Sequence, residues 1–379
     1  MTVHTTDASA RTDALADILV KRGHLTSPRI RDALRAAPRH LFAPARGWYA
    51  TDGPGPRYAI DRDRDPATWW DAVYANGSIV TQVDDGAGDP TLGVAEATSS
   101  LSSPGIVVAF LELLDVQPGD RILEVGTGTG WTAALLTALG ADVTTVEVDA
   151  GLADTACQTL TMAGFTPLIV TGDGALGVPD RAPFDGVHVT CGVDRVPYAW
   201  VEQTRPGGRI VVPWMPEYGD GHQALLTVTG DGHAVGRLVD SANYMVLRAQ
   251  RSTLYVPEHT AAAVETTTRL DPREVTASPG ADVAITAALP DVMGAPRDRD
   301  GVVEVELADT AGTSWARVRQ GEGEHRVWQA GPRRLWDEVA SAYARWTEWG
   351  RPGREEFGLT VGPDRQVVWR DDPSNIISP

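Results

Sequence analysis

Cysteine and long apolar runs are scarce in this sequence, and each shortage excludes a class of protein. Cys157 and Cys191 are the only cysteines among 379 residues, too few for a disulfide framework or a zinc site built on cysteine. The apolar run at residues 106–114 is too short to cross a membrane. Residues 1–10, which are polar and small, lack the apolar core of a signal peptide. We therefore expect a cytoplasmic protein with no membrane partner.

Lys and Arg residues are also scarce in this sequence. The 33 Lys and Arg residues face 51 Asp and Glu residues, which gives a net charge of −18. Nucleic acids and anionic membranes bind clustered Lys and Arg, so neither is expected as a main partner. Acids at residues 84–89 suggest calcium, but their spacing matches no ligand loop, and a solvated loop is the preferred interpretation. We expect no metal.

The length of the chain allows two domains and a large core. Residues 1–10 are predicted to be disordered, and residues 11–230 to form an α/β domain. The character of the sequence changes near residue 231, so residues 231–379 are predicted to form a smaller α+β extension. Six tryptophans in this extension suit core packing, with a peptide-binding groove as the alternative.

Residues 119–149 carry the strongest pattern. An apolar run at residues 122–125 suits a buried strand and is followed at once by glycines. A helix of good helix formers comes next, at residues 131–139, and then a β-rich run at residues 143–148. This order predicts one βαβ unit of a doubly wound, Rossmann-like parallel sheet.

The glycine turn and the acid after the second strand predict a nucleoside-containing cofactor. Such a turn lets a ligand lie against bare backbone at a helix N-terminus. Its candidate binding residues are Gly126, Thr127, Gly128 and Gly130. Glu147 ends the next strand, where an acid accepts both hydroxyl hydrogens of a ribose. The G-x-G-x-G spacing argues against NAD, and a tight turn with an incidental acid is the alternative.

Further polar residues follow a strand or precede a helix. Asp173 and Gly174 follow a predicted strand, where Asp173 could accept from an adenine amino group; a plain Asp-Gly turn is the alternative. Ser103 precedes a proline that suits the first helical position, so Ser103 is predicted to cap that helix. Ser100 and Ser102 are left with hydroxyls that have no obvious structural use.

Residues 11–229 resemble the protein-L-isoaspartate O-methyltransferase family along their whole length. Glu124 before the glycines resembles the acid of S-adenosylmethionine methyltransferases. The other matching segments are Ala37-Pro38-Arg39-His40-Leu41-Phe42, Ser100-Leu101-Ser102-Ser103-Pro104, Gly172-Asp173-Gly174, Ala182-Pro183-Phe184-Asp185 and Pro206-Gly207-Gly208-Arg209. The resemblance implies S-adenosylmethionine as cofactor, a peptide or protein carboxylate as acceptor, and the active-site serine at Ser102. Trp131 replaces the family's usual tyrosine.

The chain departs from the repair enzymes of this family in two ways. The segment before Ser100 is longer and more acidic, and about 150 residues follow the part that resembles the family. A methyltransferase extended in this way resembles the enzymes of actinobacterial ribosomal-peptide clusters of the lanthipeptide and ATP-grasp-ligated kinds. That resemblance implies methylation of a peptide aspartate, followed by aspartimide formation. Arg248 and Arg251 are candidate partners of the acceptor carboxylate, with surface salt bridges as the alternative.

Three functions therefore remain open from the sequence. The first is a carboxyl methyltransferase that tailors a ribosomal peptide, and the second is a general isoaspartyl repair enzyme with an accessory domain. The third is a non-catalytic fold that binds S-adenosylmethionine and recruits a peptide. The intact residues Gly126, Gly128, Glu147 and Ser102 argue against the third. The oligomeric state stays open.

Overall fold

The computed structural model describes residues 3–51, 55–257, 263–299 and 301–378. It divides the chain into two compact units. The first unit consists of residues 1–191 and 199–212, and the second of residues 192–198 and 213–379. No helix in the described part is both long enough and apolar enough to cross a membrane.

The first unit contains a small antiparallel sheet and a parallel sheet with helices. Its helices are α1 (Val3–Lys21), α2 (Pro28–Ala36), α3 (Pro66–Val73), α4 (Pro104–Leu114), α5 (Trp131–Ala138), α6 (Ala150–Ala163) and α7 (Tyr198–Glu202). Its strands are β1 (Arg46–Ala50), β2 (Arg57–Asp61), β3 (Ser78–Val83), β4 (Ala97–Leu101), β5 (Arg121–Val125), β6 (Asp142–Glu147), β7 (Leu168–Thr171), β8 (Phe184–Val189) and β9 (Thr204–Trp214). The antiparallel sheet has the order β2-β1-β3-β4, and the parallel strands have the order β9-β8-β5-β6-β7.

The parallel strands create a topological switch point between β5 and β8. Strand β5 pairs with β6 on one side and with β8 on the other, so successive connections leave β5 in opposite directions. Ile122, Leu123 and Val125 are at most 1% exposed, which explains why this apolar run forms the central strand. Ligands of such sheets bind outside the carboxyl ends of the strands at the switch point. The predicted doubly wound sheet is confirmed.

The N-terminus differs from the sequence-based expectation. Residues 1–10 were expected to be disordered, but α1 begins at Val3, and only Met1 and Thr2 lie outside the described residues. Ala8 is 6% exposed, and the Thr12 hydroxyl donates a hydrogen bond to the Ala8 carbonyl at 2.9 Å. Residues 3–10 are therefore helical in this structure, because a small, polar composition does not prevent a helix that buries an alanine.

The second unit is a smaller α+β assembly, as predicted. Its helices are α8 (Pro279–Ala288) and α9 (Leu335–Glu348). Its strands are β10 (His222–Val228), β11 (Ala234–Ser241), β12 (Val264–Thr268), β13 (Val292–Arg299), β14 (Val302–Asp309), β15 (Trp315–Arg319), β16 (His325–Ala330), β17 (Phe357–Val361) and β18 (Gln366–Arg370). Strands β10, β11, β17 and β18 pair in that order, and a separate five-stranded antiparallel sheet has the order β12-β16-β15-β14-β13.

Candidate active site

The glycine turn after β5 has a backbone that only glycine adopts without strain. Gly126, Gly128 and Gly130 have φ angles of 94°, 53° and 83°. A Cβ on Gly126 would lie 2.5 Å from the Thr190 hydroxyl, which donates a hydrogen bond to the Gly126 carbonyl at 2.5 Å. Thr190 follows β8, so the two strands at the switch point hold the turn between them.

Glu147 lies at the carboxyl end of β6 and faces the glycine turn. One carboxylate oxygen accepts from the Gly128 N–H at 2.9 Å, and the other accepts from the Asp149 N–H at 3.1 Å. A carboxylate offers about four acceptor positions, so these two bonds leave capacity for two hydroxyl donors. The residues present therefore fit the ribose of S-adenosylmethionine at this edge of the sheet.

Glu124 and Thr127 lie beneath the turn. Glu124 is 0% exposed, and its Oε2 accepts from the Thr145 hydroxyl at 2.6 Å. The Thr145 hydroxyl also lies 2.7 Å from the Thr127 hydroxyl, while Oε1 of Glu124 accepts no hydrogen bond within the described residues. Burial, reinforced by the negative charge of Glu147, raises the pKa of Glu124 to about 8. These contacts favour support of the turn over the direct contact with a cofactor that the sequence predicted.

Asp173 and Gly174 follow β7 at the same edge of the sheet. One carboxylate oxygen of Asp173 accepts from the Ala175 N–H at 2.9 Å, so Asp173 caps a short turn while it stays exposed. A Cβ on Gly174 would lie 2.6 Å from a methyl group of Val125, and the Trp200 indole donates to the Gly174 carbonyl at 2.8 Å. The turn alternative is therefore present, and contact between Asp173 and adenine stays a prediction.

Cys191 lies at the same edge of the sheet, near the charges of Glu147 and Asp173. It follows β8 and is half-buried. Burial raises the pKa of the Cys191 thiol to about 12, and the negative charges of Glu147 and Asp173 add to the effect. A neutral thiol is a weak nucleophile, which argues against covalent chemistry at Cys191. Its position directly after a parallel strand was the available signal in the sequence.

Arg39 is a buried cation beside the segment that contains Ser100 and Ser102. Its side chain is 1% exposed, and its two terminal nitrogens donate to backbone carbonyls on two separate segments, residues 73–77 and 101–102. The accepting carbonyls belong to Val73 at 2.6 Å, Ala75 at 3.3 Å, Gly77 at 2.9 Å, Leu101 at 3.2 Å and Ser102 at 2.9 Å. Burial lowers the pKa of Arg39 to about 9, so the guanidinium is still charged at neutral pH. Arg39 thereby fixes the backbone of Ser102.

Trp131 joins Arg39 to the glycine turn. The Arg39 guanidinium lies over the Trp131 ring, 5.3 Å from its centroid, and the indole N–H donates to the Ala37 carbonyl at 3.0 Å. Trp131 is the first residue of α5, directly after Gly130. The tryptophan that departs from the family pattern thus packs against the cation that holds Ser102.

The candidate catalytic serines lie next to the turn. A Cβ built on Gly128 would be 3.7 Å from the Ser100 carbonyl oxygen. Both Ser100 and Ser102 are partly exposed. Ser103 occupies the predicted cap position before α4 with φ −62° and ψ 137°, but its side chain makes no capping hydrogen bond. The structure therefore brings the Ser100 backbone to the predicted cofactor turn, and Ser102 lies two residues further along the chain.

Arg248 and Arg251 lie in the second unit. Arg248 begins the short 3₁₀ turn Arg248–Gln250, Arg251 follows it, and both are half-buried. The Leu247 N–H donates to the Gly192 carbonyl at 2.8 Å, which anchors this segment. Contact between these arginines and an acceptor carboxylate stays a prediction. Among the described residues, no group of three or more His, Cys, Asp or Glu side chains is arranged to hold a metal ion.

A family model and two curated proteins that match this chain carry the same description. A family model described as "Protein-L-isoaspartate(D-aspartate) O-methyltransferase (PCMT)" matches residues 88–253. The protein-L-isoaspartate O-methyltransferase of Methylorubrum extorquens is 34% identical over 227 residues, which cover 59% of this chain and 81% of that protein. The protein of the same name from Roseiflexus castenholzii is 32% identical over 232 residues, which cover 60% of this chain and 87% of that protein.

A solved structure extends the likeness beyond the first unit. It is a protein-L-isoaspartate O-methyltransferase, 21% identical, with a TM-score of 0.56 over 95% of this chain and 100% of that chain. At this identity the likeness shows the fold alone. Its coverage includes most of the residues after 230.

The first prediction concerns the ribose acceptor. In Glu147→Ala the charged acceptor is lost, which costs on the order of 1.5–3 kcal/mol. We expect S-adenosylmethionine affinity to fall roughly 10- to 150-fold in titration calorimetry. Asp154→Ala, on the exposed face of α6, is the matched control and should bind as the wild type does. Unchanged affinity in a folded Glu147→Ala protein would refute the assignment.

The second prediction concerns the pH dependence of stability. The folded pKa of Glu124 is about 8, above its ordinary value of 4.5, so the folded protein holds a proton that the unfolded chain releases. Between these values, rising pH destabilises the wild type. Glutamine cannot ionise, so the Tm advantage of Glu124→Gln should grow from about pH 5 to about pH 8. A calorimetric Tm difference that shrinks over this range would contradict the placement of Glu124.

The third prediction concerns Arg39. Lysine keeps the charge but lacks the planar fork that reaches several carbonyls, so Arg39→Lys should let the Ser102 loop shift. We expect kcat to fall by roughly tenfold or more, with S-adenosylmethionine affinity changed less than about threefold. Arg35→Lys, an exposed arginine of α2 paired with Asp13 at 2.8 Å, is the control for steady-state kinetics. Wild-type kcat in Arg39→Lys would disprove the positioning role.

Proposed function

The chain belongs to the protein-L-isoaspartate O-methyltransferase family, and from this premise we propose that it methylates an aspartyl or isoaspartyl carboxylate in a peptide substrate. Membership of the family confirms the predicted methyltransferase activity and its dependence on S-adenosylmethionine. The observation that carries the proposal is the approach of the Ser100 segment to the glycine turn. The Ser100 carbonyl oxygen would lie 3.7 Å from a Cβ built on Gly128, and Arg39 donates a hydrogen bond to the Ser102 carbonyl. This proximity supports a donor site and an acceptor site that adjoin at the switch point of the sheet.

S-adenosylmethionine supplies an electrophilic methyl group when it is bound. Glu147 and the backbone of Gly128 would hold its ribose, and Asp173 would accept from its adenine. The turn leaves backbone close to the ligand because its glycines carry no side chains. Glu124 supports this arrangement from below through the Thr145 hydroxyl, which bonds to it at 2.6 Å.

The acceptor carboxylate needs no general base. Aspartyl and isoaspartyl carboxylates are ionised at pH 7, so they are already nucleophilic. Catalysis then rests on alignment and on the exclusion of water. The hydroxyls of Ser102 and Ser100 would donate to one carboxylate oxygen and leave the other free to attack the methyl group. Arg39 acts through the Ser102 backbone and touches no reacting atom.

Residues 231–379 are proposed to recognise the substrate polypeptide. Arg248 and Arg251 would pair with a carboxylate, since guanidinium forks match carboxylate geometry. Domain limits of 11–230 and 231–379 follow the change in sequence character near residue 231.

The finer proposal is that the substrate is a modified ribosomal peptide. The long acidic segment before Ser100 supports a restricted substrate, because a repair enzyme must admit many sequences. After methylation, the next backbone nitrogen would attack the ester and expel methanol, which leaves an aspartimide. General isoaspartyl repair is the competing function, and the extended fold of the solved relative favours it, because that protein is itself described as a protein-L-isoaspartate O-methyltransferase.

The fourth prediction separates these functions by mass spectrometry on three substrates. They are a linear precursor peptide, its ring-closed form and a generic isoaspartyl peptide. Tailoring predicts a gain of about 14 Da on the ring-closed peptide, the mass of one CH₂, followed by loss of methanol through attack of the neighbouring backbone nitrogen. Methylation of the generic peptide alone would establish repair instead. Failure to methylate any of the three peptides would disprove the proposed activity.

A further inference from the structure

The five-stranded sheet of the second unit has two chemically different faces. Side chains alternate along each strand, so one face is apolar and the other is charged. Val305, Leu307 and Val318 lie on the apolar face and are 0% exposed, beneath α9. The opposite face, which we call the arginine face, carries Arg297, Arg299, Arg317, Arg319 and Arg326.

The strand register aligns charges in a row across the arginine face. Arg297 on β13 lies opposite Glu304 on β14, which lies opposite Arg319 on β15. Arg319 in turn lies directly opposite Arg326 on β16. Neighbouring strands are about 4.8 Å apart, so the row is roughly 15 Å long. These residues are spread over positions 297–326, and the strand register aligns them in one row.

Positive charge exceeds negative charge along this face. Glu304 and Glu306 are 5% and 4% exposed and sit among the guanidinium groups. Glu306 pairs with Arg297 at 2.5 Å and with Arg317 at 2.8 Å, while Glu304 lies 3.1 Å from Arg299 and 3.6 Å from Arg319. Two buried carboxylates are therefore shared among four arginines.

The guanidinium groups remain accessible despite these pairs. Side-chain exposures are 49% for Arg297, 55% for Arg299, 52% for Arg319 and 69% for Arg326. Arg326 has one exposed carboxylate nearby, that of Glu265 at 3.9 Å. Each guanidinium has five N–H donors, so donors remain for a ligand even where a glutamate takes two.

Arg319 and Arg326 form a cross-strand pair of like charge, which costs stability in the free protein. A carboxylate placed between them would remove this repulsion and gain two charge-assisted hydrogen bonds. The pair therefore favours an anionic partner over an empty face.

We propose that the arginine face docks an acidic segment of the polypeptide substrate. This inference rests on the proposed function and adds the chemical class of the docking segment. An extended peptide advances about 3.3 Å per residue, so the row would span four or five residues. A net charge of −18 repels acidic peptides at long range, and the arginine face supplies the local positive field that lets one bind.

Nucleic acid fits this face less well than an acidic peptide. Stable binding of a phosphate backbone takes roughly six to ten cationic contacts along a groove. The aligned row offers three arginines interrupted by Glu304. The same net charge of −18 acts over the whole length of a polyanion, whereas a short acidic segment ends within the face.

The fifth prediction is a binding measurement that needs no methyl transfer. The probe is a fluorescein-labelled peptide of about twelve residues that alternates Glu and Ser and lies extended as one strand. We expect the double variant Arg319→Gln/Arg326→Gln to bind it roughly tenfold more weakly by fluorescence anisotropy, with affinity falling as salt rises. Its Tm should change little, because the loss of a like-charge repulsion offsets the loss of the ion pairs of Arg319 with Glu304 at 3.6 Å and of Arg326 with Glu265 at 3.9 Å.

The matched control is Arg345→Gln/Arg365→Gln, which makes the same change in charge at two exposed arginines of the second unit, outside the arginine face. This control should bind within about twofold of the wild type. Equal weakening in both double variants would overturn the proposal, as would no wild-type binding at about 1 mM protein in low salt. Tighter binding of a labelled single-stranded RNA than of the peptide would overturn it in favour of nucleic acid.

A kinetic comparison ties docking to the reaction. An isoaspartyl peptide with an acidic tail should have a raised KM in the Arg319→Gln/Arg326→Gln variant, with kcat unchanged, and the same peptide with a Gln tail should be unaffected. Equal effects on both tails would overturn the proposal. If neither tail is methylated by the wild type, the proposed function fails, and the anisotropy measurement alone decides whether the face binds acidic peptide.

Discussion

The arrangement of the candidate active site depends on one buried cation. Arg39 has almost no exposed surface, yet its guanidinium donates to carbonyls of two segments that are separate in the chain, residues 73–77 and the segment that contains Ser102. Burying a charge without partners costs several kcal/mol. Arg39 therefore stays buried only while these carbonyls keep their positions, and the carbonyls keep their positions because they accept from Arg39. The same guanidinium lies over Trp131, the first residue of α5. Arg39 therefore contacts both the segment that contains Ser102 and the helix after the glycine turn.

Much of the first unit could be predicted from the sequence, because its signals are local. The apolar run before the glycines and the β-rich run after the helix led directly to β5, α5 and β6. Glu147 was placed correctly at the end of β6 for the same reason. The role of Arg39 could not be predicted in this way, since its partners lie between 34 and 63 residues further along the chain.

Hydrogen-bond partners distinguish two residues that the sequence treated alike. Glu124 and Glu147 were both assigned to the cofactor, but they lie on neighbouring strands with different surroundings. Glu147 accepts from backbone N–H groups at the edge of the crevice, whereas Glu124 is fully buried under the turn and its pKa is raised to about 8. Net charge is equally uninformative about position. A chain with a charge of −18 still forms a sheet face rich in arginine, because strand register decides which side chains become neighbours.

The central claim is that Arg39 serves catalysis by positioning Ser102, and a double-mutant cycle on kcat/KM tests it most directly. The cycle compares Arg39→Lys, Ser102→Ala and the double variant on one isoaspartyl peptide. If Arg39 acts through the Ser102 hydroxyl, its substitution should matter little once that hydroxyl is absent, so the double variant should be no more than about twofold slower than Ser102→Ala. Losses that multiply in the double variant would show that the two residues act independently and would contradict the claim.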